Sequence, residues 1–462
     1  MFAFGKKGEH EQHPKPAASG AAARPLNDQI DTPAALDRAG PTATEDIHNQ
    51  VLTRIEPIVA VQLNHDELTS RVHGLVAEIA IMSRVPLNQQ EQQALAIQIV
   101  DDMVGLGPLE PLLRDNSVAD ILVNGPYKVY VERAGKLELT QLRFRNDAHV
   151  LHVAQRIASS IGRRVDGSSP MLDARLQDGS RVNVIIAPLS LKGACVSIRK
   201  FSHSVVDFSK FTELGTVSLE LQHALEIAAR CRLNILISGG TGSGKTTLLN
   251  ALSRMIDRTE RIITIEDAVE LQLQQPHVIQ LETRPPNIEG QGQVTQRDLV
   301  RNSLRMRPDR IILGEVRGPE AFDMMQAMNT GHNGSMSTIH ANSARDALAR
   351  VENMILMANL NLPTRAIRGQ IVSAIDLIVH TERMRDGKRR VTEVAYVAGL
   401  EGDVILLGSL FTYKYLGENS DGSLQGIFEA APAQPRFLAR LEYFGLAAAF
   451  LKTLSAPEKS GA

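Results

Sequence analysis

The chain has 462 residues, 43 % of them hydrophobic and 22 % charged, with a formal net charge of -2. That is length for roughly two to four domains with real cores, and no basic excess marks a general nucleic-acid or membrane-surface binder. Two cysteines, Cys195 and Cys231, exclude a disulfide framework and a four-cysteine zinc site and fit a reducing cytosol. The start, MFAFGKKGEHEQH, has no apolar h-region, and no apolar run approaches the ~20 residues that span a bilayer. Work at a membrane is therefore expected to run through partners.

Residues 1–45, with HPKPAASGAAARPLND, have the Ala-, Pro- and Gly-rich composition of a disordered tail. Residues 46–115 show helical spacing, as in ELTSRVHGLVAEIAIMSRV, and predict a bundle of two or three helices closed by Gly105, Gly107 and Pro108. Over 116–204 the period changes to two around Asn-Gly-Pro, Ala-Gly and Asp-Gly turns, with one helix in DAHVLHVAQRIASSIG; this predicts a small α+β domain. Residues 205–218 read as a linker. Over 219–385 strands and helices alternate, the pattern of an α/β domain with a largely parallel sheet. Residues 386–462 read as a C-terminal β/α extension ending in one helix, QPRFLARLEYFGLAAAFLKTL.

Between the apolar strand LNILISG and the helical TTLLNALSRMI stands G-x-x-x-x-G-K-T, Gly239 to Thr246, in the stretch SGGTGSGKTT. Glycines let backbone N–H groups turn onto a phosphate at the positive end of a new helix. Gly240, Thr241, Gly242, Ser243, Gly244, Lys245, Thr246 and Thr247 are the expected nucleotide-binding residues. Lys245 is expected to reach the β and γ phosphates, and the Thr246 hydroxyl to hold Mg²⁺. An ordinary Gly-rich strand–helix turn is the plain alternative.

Downstream, RIITIEDAVEL is a strand ending in Glu266, Asp267 and Glu270, and RIILGEVRGPEA a second ending in Glu315. Strand ends in such sheets face the ligand crevice. Hydrolysis needs one carboxylate for the water and one for the hydrated metal. Glu315 takes the metal side, with Thr246, and Glu270 the water, with Glu266 as its rival; solvated strand-end acids are the alternative. In TGHNGSMSTIHANS, His332 and His340 stand eight residues apart, close enough across a turn and strand to approach one site. His340 fits a γ-phosphate sensor or a subunit contact. Arg181, Arg199, Arg305, Arg307, Arg310 and Arg317 are each either an arginine aimed at the phosphates or an ordinary surface charge.

GGTGSGKTT, TIEDAVEL, IILGEVRG and TGHNGSMSTIHANS, in that order, resemble the Walker A, Asp box, Walker B and His box of the type II/IV secretion-system ATPases. LGPLEPLLRDNSVADILVNGPYKVYVERAGKL and LQDGSRVNVIIAPLSLKGACVSIRKF are most similar to the CpaF branch, the motor ATPases of tight-adherence (Tad) pili. The resemblance covers about residues 60 to 415. It implies a RecA-like P-loop domain after an N-terminal domain on a flexible linker, with ATP and Mg²⁺ in the cleft between them. It implies a cytoplasmic homohexamer, peripheral at the inner membrane, that drives a polytopic platform protein alongside other pilus-assembly proteins. By the same resemblance Glu270 is the water-activating base, Glu315 the Walker B acid and His340 the His-box residue near the γ-phosphate. Arg181 and Arg199 match N-terminal-domain arginines that reach the phosphates.

This chain has Ala268 where many relatives have proline, and it lacks the four-cysteine zinc subdomain of the type II branch. No strongly basic groove is expected for DNA, so no nucleic-acid partner is. A conjugation-type secretion ATPase and a nucleotide-gated scaffold with little turnover are the rival readings; intact Glu270 and Glu315 favour the motor.

Overall fold

The structure is a computed structural model that describes residues 41–55, 63–133, 135–176, 178–201, 207–286, 290–358 and 361–455. Most of the stretch read as a tail lies outside the described residues. Its end does not: a helix, Pro41–Arg54, begins inside it. Proline suits a first helical position, where its fixed φ is already right and its missing N–H has no helical partner to lose.

The chain divides into two compact units, one ending at Glu110 and one starting at Pro111. In the first, the helices Pro41–Arg54, His65–Met82 and Gln89–Val104 bury one core of Ile47, Val51, Leu68, Val72, Val76, Ile79, Leu95, Ile99 and Val100. Two of the helices start on reciprocal capping boxes, Asn64 with Glu67 and Asn88 with Glu91, each satisfying two end donors.

The second unit contains two sheets. The smaller is antiparallel with order β3-β2-β1-β6-β5-β4. Its strands are β1 (Val118–Asn124), β2 (Val129–Arg133), β3 (Lys136–Leu139), β4 (Met171–Arg175), β5 (Arg181–Ile185) and β6 (Cys195–Arg199), with the helix Asp147–Ser160 between β3 and β4.

The larger sheet has nine strands: β7 (Ile235–Gly239), β8 (Ile262–Glu266), β9 (Val278–Glu282), β10 (Arg310–Leu313), β11 (Met336–His340), β12 (Leu377–Arg383), β13 (Arg389–Glu401), β14 (Val404–Glu418) and β15 (Leu424–Ala430). Their order is β15-β14-β13-β12-β7-β11-β10-β8-β9. From β12 to β9 every neighbour pair is parallel; β13 to β15 add on antiparallel. Thus strands read from sequence as a C-terminal extension hydrogen-bond into the same sheet as the P-loop strand.

Helices cover both faces. Ile235 and Ile237 of β7 point into a core shared with the helices Leu219–Arg230 and Lys245–Ser253, and Leu236 into one shared with Glu320–Asn329 and Ala344–Met357. Strands buried on both sides read as continuous apolar runs, which is why LNILISG and RIITIE carry no alternation. This is the expected RecA-like α/β architecture behind an α+β domain and a helical bundle.

Two local readings change. Part of the stretch read as a linker forms the helix Phe208–Glu213, capped by Asp207, with Phe208 and Phe211 buried in the α/β core. The C-terminal helix is two, Leu438–Tyr443 and Ala447–Ser455, parted at Gly445, whose φ of 71° ends the first. No helix among the described residues is long and apolar enough to cross a membrane.

Candidate functional site

Parallel pairing sets four strand ends side by side. β7 runs into the Gly-rich loop, β11 ends at His340 in register with Gly239, β10 leads to Glu315, and β8 ends at Glu266. Residues far apart in sequence so share one edge, the crevice side of an open parallel sheet.

The loop's conformation follows from its glycines. Gly242 and Gly244 have φ of 70° and 97°, open to glycine at little cost, and Gly244 is the N-cap of the helix Lys245–Ser253. The loop carbonyls are taken: Lys245 Nζ donates to Gly239 O at 3.0 Å and Gly240 O at 2.8 Å, Arg389 Nε to Gly242 O at 2.9 Å, and Thr381 Oγ1 to Ser243 O at 2.9 Å. Among the described residues, the N–H groups of Gly242, Gly244, Lys245 and Thr246 have no acceptor, and the buried Ser243 hydroxyl has no partner. A lysine on its own loop's carbonyls beside partnerless amides and an orphaned hydroxyl fits a phosphate chain. Burial pulls the Lys245 pKa below its usual value, opposed by nearby Glu315. Thr246 and Glu315 supply the hard oxygen donors that suit Mg²⁺.

The acids differ in their duties. Glu266 is buried, and its Oε2 accepts from the backbone N–H of Glu270 at 2.8 Å and Leu271 at 3.0 Å, holding the turn after β8. Its side chain lies 2.8 Å from where a Cβ on Gly314 would sit, so the residue before Glu315 must be small. Burial raises the Glu266 pKa to about 7 against those two amide bonds. Glu270 is half-buried, and among the described residues its carboxylate has no hydrogen bond or ion pair. Glu315 accepts from Arg317 at 2.7 Å and lies 3.2 Å from His340 Nε2; Arg317 reaches on to Asp267 at 3.4 Å.

His332 and His340 are not brought together: one precedes β11 and the other ends it, and His332 Nδ1 instead lies 3.3 Å from Ala327 O. Burial holds the His340 imidazole below its ordinary pKa, against Glu315.

Arg181 and Arg199 are paired neighbours on β5 and β6. Arg181 is held by Asp173 at 2.6 Å and Arg199 by Asp120 at 3.8 Å, yet Arg181 also feels Glu270, and the charge of Arg199 acts on Lys245. Arg310 is not at the crevice; it is fully buried at the start of β10, gripped by Glu260 at 2.7 and 2.9 Å. Sequence reasoning missed Thr381 and Arg389, which back the loop from the far side of β7. Among the described residues, Arg175 pairs with Glu282 at 3.2 Å and Arg383 donates to Gly135 O at 2.6 Å, joining the small sheet to the crevice's rim.

Residues 102–395 match the family described as Type II/IV secretion system protein. The chain belongs to that family. Family membership implies nucleotide binding, usually with Mg²⁺, which the loop chemistry above accommodates. Among relatives of this secretion-system protein is a Mycobacterium tuberculosis (strain H37Rv) protein whose name assigns it to conjugal transfer, 38 % identical over 309 residues, 66 % of this chain and 87 % of the relative. The type IV secretion system protein VirB11 of Bartonella quintana is 34 % identical over 330 residues, 63 % of this chain and 91 % of that one. The crystal structure of the VirB11 ATPase from the Brucella suis type IV secretion system, in complex with sulphate, is similar at 30 % identity and a TM-score of 0.35, over 63 % of this chain and 95 % of that one.

Proposed function

We propose that this family member is an ATP-hydrolysing motor of the CpaF branch that powers assembly of Tad pili. What supports hydrolysis is the contrast between two acids on one turn: Glu266 is committed to backbone N–H groups, whereas Glu270 is half-buried and, among the described residues, its carboxylate has no partner, with two arginines nearby. A carboxylate so held can orient a water and accept its proton.

In this reading the β and γ phosphates of ATP take Lys245 from the loop carbonyls and accept from the loop amides. Mg²⁺, when bound at Thr246 and Glu315, neutralises charge on the phosphate oxygens. Glu270 orients the water whose oxygen bonds to the γ-phosphorus as the bond to ADP breaks. Arg181 and Arg199 stabilise the charge that develops there, and His340, through Glu315, registers the γ-phosphate. Because those arginines sit on the small sheet and Lys245 starts the helix that follows β7 of the large one, nucleotide draws the two sheets together, and product release frees them. Six such subunits in a ring at the cytoplasmic face of the inner membrane would turn that motion on a membrane-embedded platform protein, with membrane contact only through partners.

Phosphate release by the purified protein with Mg²⁺ and ATP tests the chemistry. Steady turnover that Glu270→Gln removes is the expected result; tight binding without turnover would replace the motor with a nucleotide-gated scaffold. The names of the relatives, drawn from conjugal transfer and type IV secretion, favour a second reading as a secretion-traffic ATPase. Deletion of the gene decides: loss of surface pili with pilin retained supports the Tad motor, and loss of DNA or protein transfer with pili intact supports the alternative.

A further inference from the structure

The β12–β13 hairpin stands behind the phosphate loop and holds it at three places. Thr381, beside a register shift after His380, pairs with Gly239, and its carbonyl oxygen lies where a Cβ on Gly239 would be. Its hydroxyl donates to Ser243 O at 2.9 Å. Arg389 donates from Nε to Gly242 O at 2.9 Å, and its Cδ lies 3.1 Å from the Cβ position of Gly244.

A trans peptide is planar, with its C=O and N–H pointing opposite ways. Holding the Ser243 carbonyl therefore aims the Gly244 N–H, and holding the Gly242 carbonyl fixes the peptide whose N–H, that of Ser243, donates to Gly240 O at 3.4 Å and closes the loop's turn. The glycines themselves have no side chains to do this, and of the loop carbonyls Lys245 reaches only those of Gly239 and Gly240.

The hairpin is in turn built rigidly from behind. Asp386 accepts from both Arg390 terminal nitrogens, at 3.0 and 2.8 Å, and from the backbone N–H of Lys388 and Leu424. Arg390 lies 5.3 Å over the Tyr413 ring and donates to Leu424 O. Both charges are almost fully buried, so separating them would strand a charge in the interior. The strands β14 and β15 thus set where Arg389 stands.

We infer that Arg389 and Thr381 are positioning residues for nucleotide binding, acting through the loop carbonyls to hold the turn that presents the phosphate-binding amides. This rests on the nucleotide-binding reading above. Loss of either grip should weaken ADP and ATP together, since the cradle serves the phosphates common to both.

Calorimetric titration of the full chain with Mg²⁺-ADP and with a non-hydrolysable Mg²⁺-ATP analogue tests it, alongside KM and kcat for ATP. Arg389→Ala is expected to weaken both ligands roughly tenfold and raise KM, with kcat within about threefold of wild type. Arg389→Lys, which keeps the stem and a donor, is expected to recover part of the loss, and Lys388→Ala, one residue away and exposed, to change nothing. A merely structural role would lower the thermal midpoint of the nucleotide-free protein while the folded protein bound as before. Affinities within about twofold of wild type in Arg389→Ala overturn the inference; if that variant does not fold, Thr381→Val is judged by the same criterion. A wild type that binds neither ligand removes the nucleotide reading itself, whereas a wild type that binds, with variants that match it, removes only the hairpin's part.

Discussion

His340 Nε2 stands 3.2 Å from Glu315 Oε1, tying the end of β11 to the loop after β10, while the other Glu315 oxygen takes a 2.7 Å bond from Arg317. Burial keeps the imidazole pKa below its ordinary value, against the charge of Glu315. His340→Gln, which keeps a donor, is expected to retain more ATP turnover than His340→Ala. Equal losses in a phosphate-release assay would show that the polar contact with Glu315 is not what matters.

Glu315→Gln removes the negative charge that both His340 and Arg317 hold. Turnover is expected to fall on the order of 10²-fold or more, the scale of losing one preorganised electrostatic group, with ADP affinity retained in the absence of Mg²⁺. Unchanged turnover would make Glu315 a surface ion-pair partner.

Lys245→Ala deletes a buried ammonium that already grips two loop carbonyls at 3.0 and 2.8 Å. Charge-assisted bonds are worth roughly 1.5–3 kcal/mol each, so nucleotide binding should become undetectable in a fluorescence titration. Retained tight binding would mean that the loop does not cradle phosphate.

Arg199→Ala is expected to keep ATP binding and lose most turnover, because an arginine brought to the phosphoryl group acts mainly in the transition state. The check is kcat against KM: a rise in KM alone would place Arg199 in ground-state binding instead.

Glu266 gives a stability prediction. Its pKa is raised from 4.5 to about 7, so between those values the unfolded chain has released this proton and the folded chain has not. The stabilisation is complete below about pH 4.5 and is lost as pH rises through about 7, by up to roughly 3 kcal/mol at ~1.4 kcal/mol per unit. Glu266→Gln keeps an oxygen for the Glu270 and Leu271 amides and removes the titration. Urea midpoints measured at about pH 5 and pH 8 should then differ less than in wild type; an unchanged difference would assign the slope to other groups.

Much of the candidate site's edge was legible in the sequence because it is made of local signals. Gly239 to Thr246 lie between a strand and a helix, and Glu266 and Glu315 each close an apolar run. What stayed hidden was the division of labour. Nothing in TIEDAVEL says that the first acid turns inward to hold the chain and that the last stays free; burial and two backbone donors decide that. The linker reading failed in part because Phe208 and Phe211, at helical spacing after Asp207, gain their meaning only from the core they enter.

By itself the sequence determined the order of elements, the glycine-rich loop between strand and helix, and which acids and arginines stand as candidates for phosphoryl chemistry, since each depends on residues within a few positions of one another. Only the tertiary structure decided which of them meet. Parallel pairing laid β7, β11, β10 and β8 side by side, sent His332 to the far end from His340, and buried Arg310 against Glu260 rather than at the crevice. It also brought Thr381 and Arg389, more than a hundred residues downstream, onto the glycines of the loop. Strand register and long-range packing set such meetings, and neither is written in any short stretch of chain.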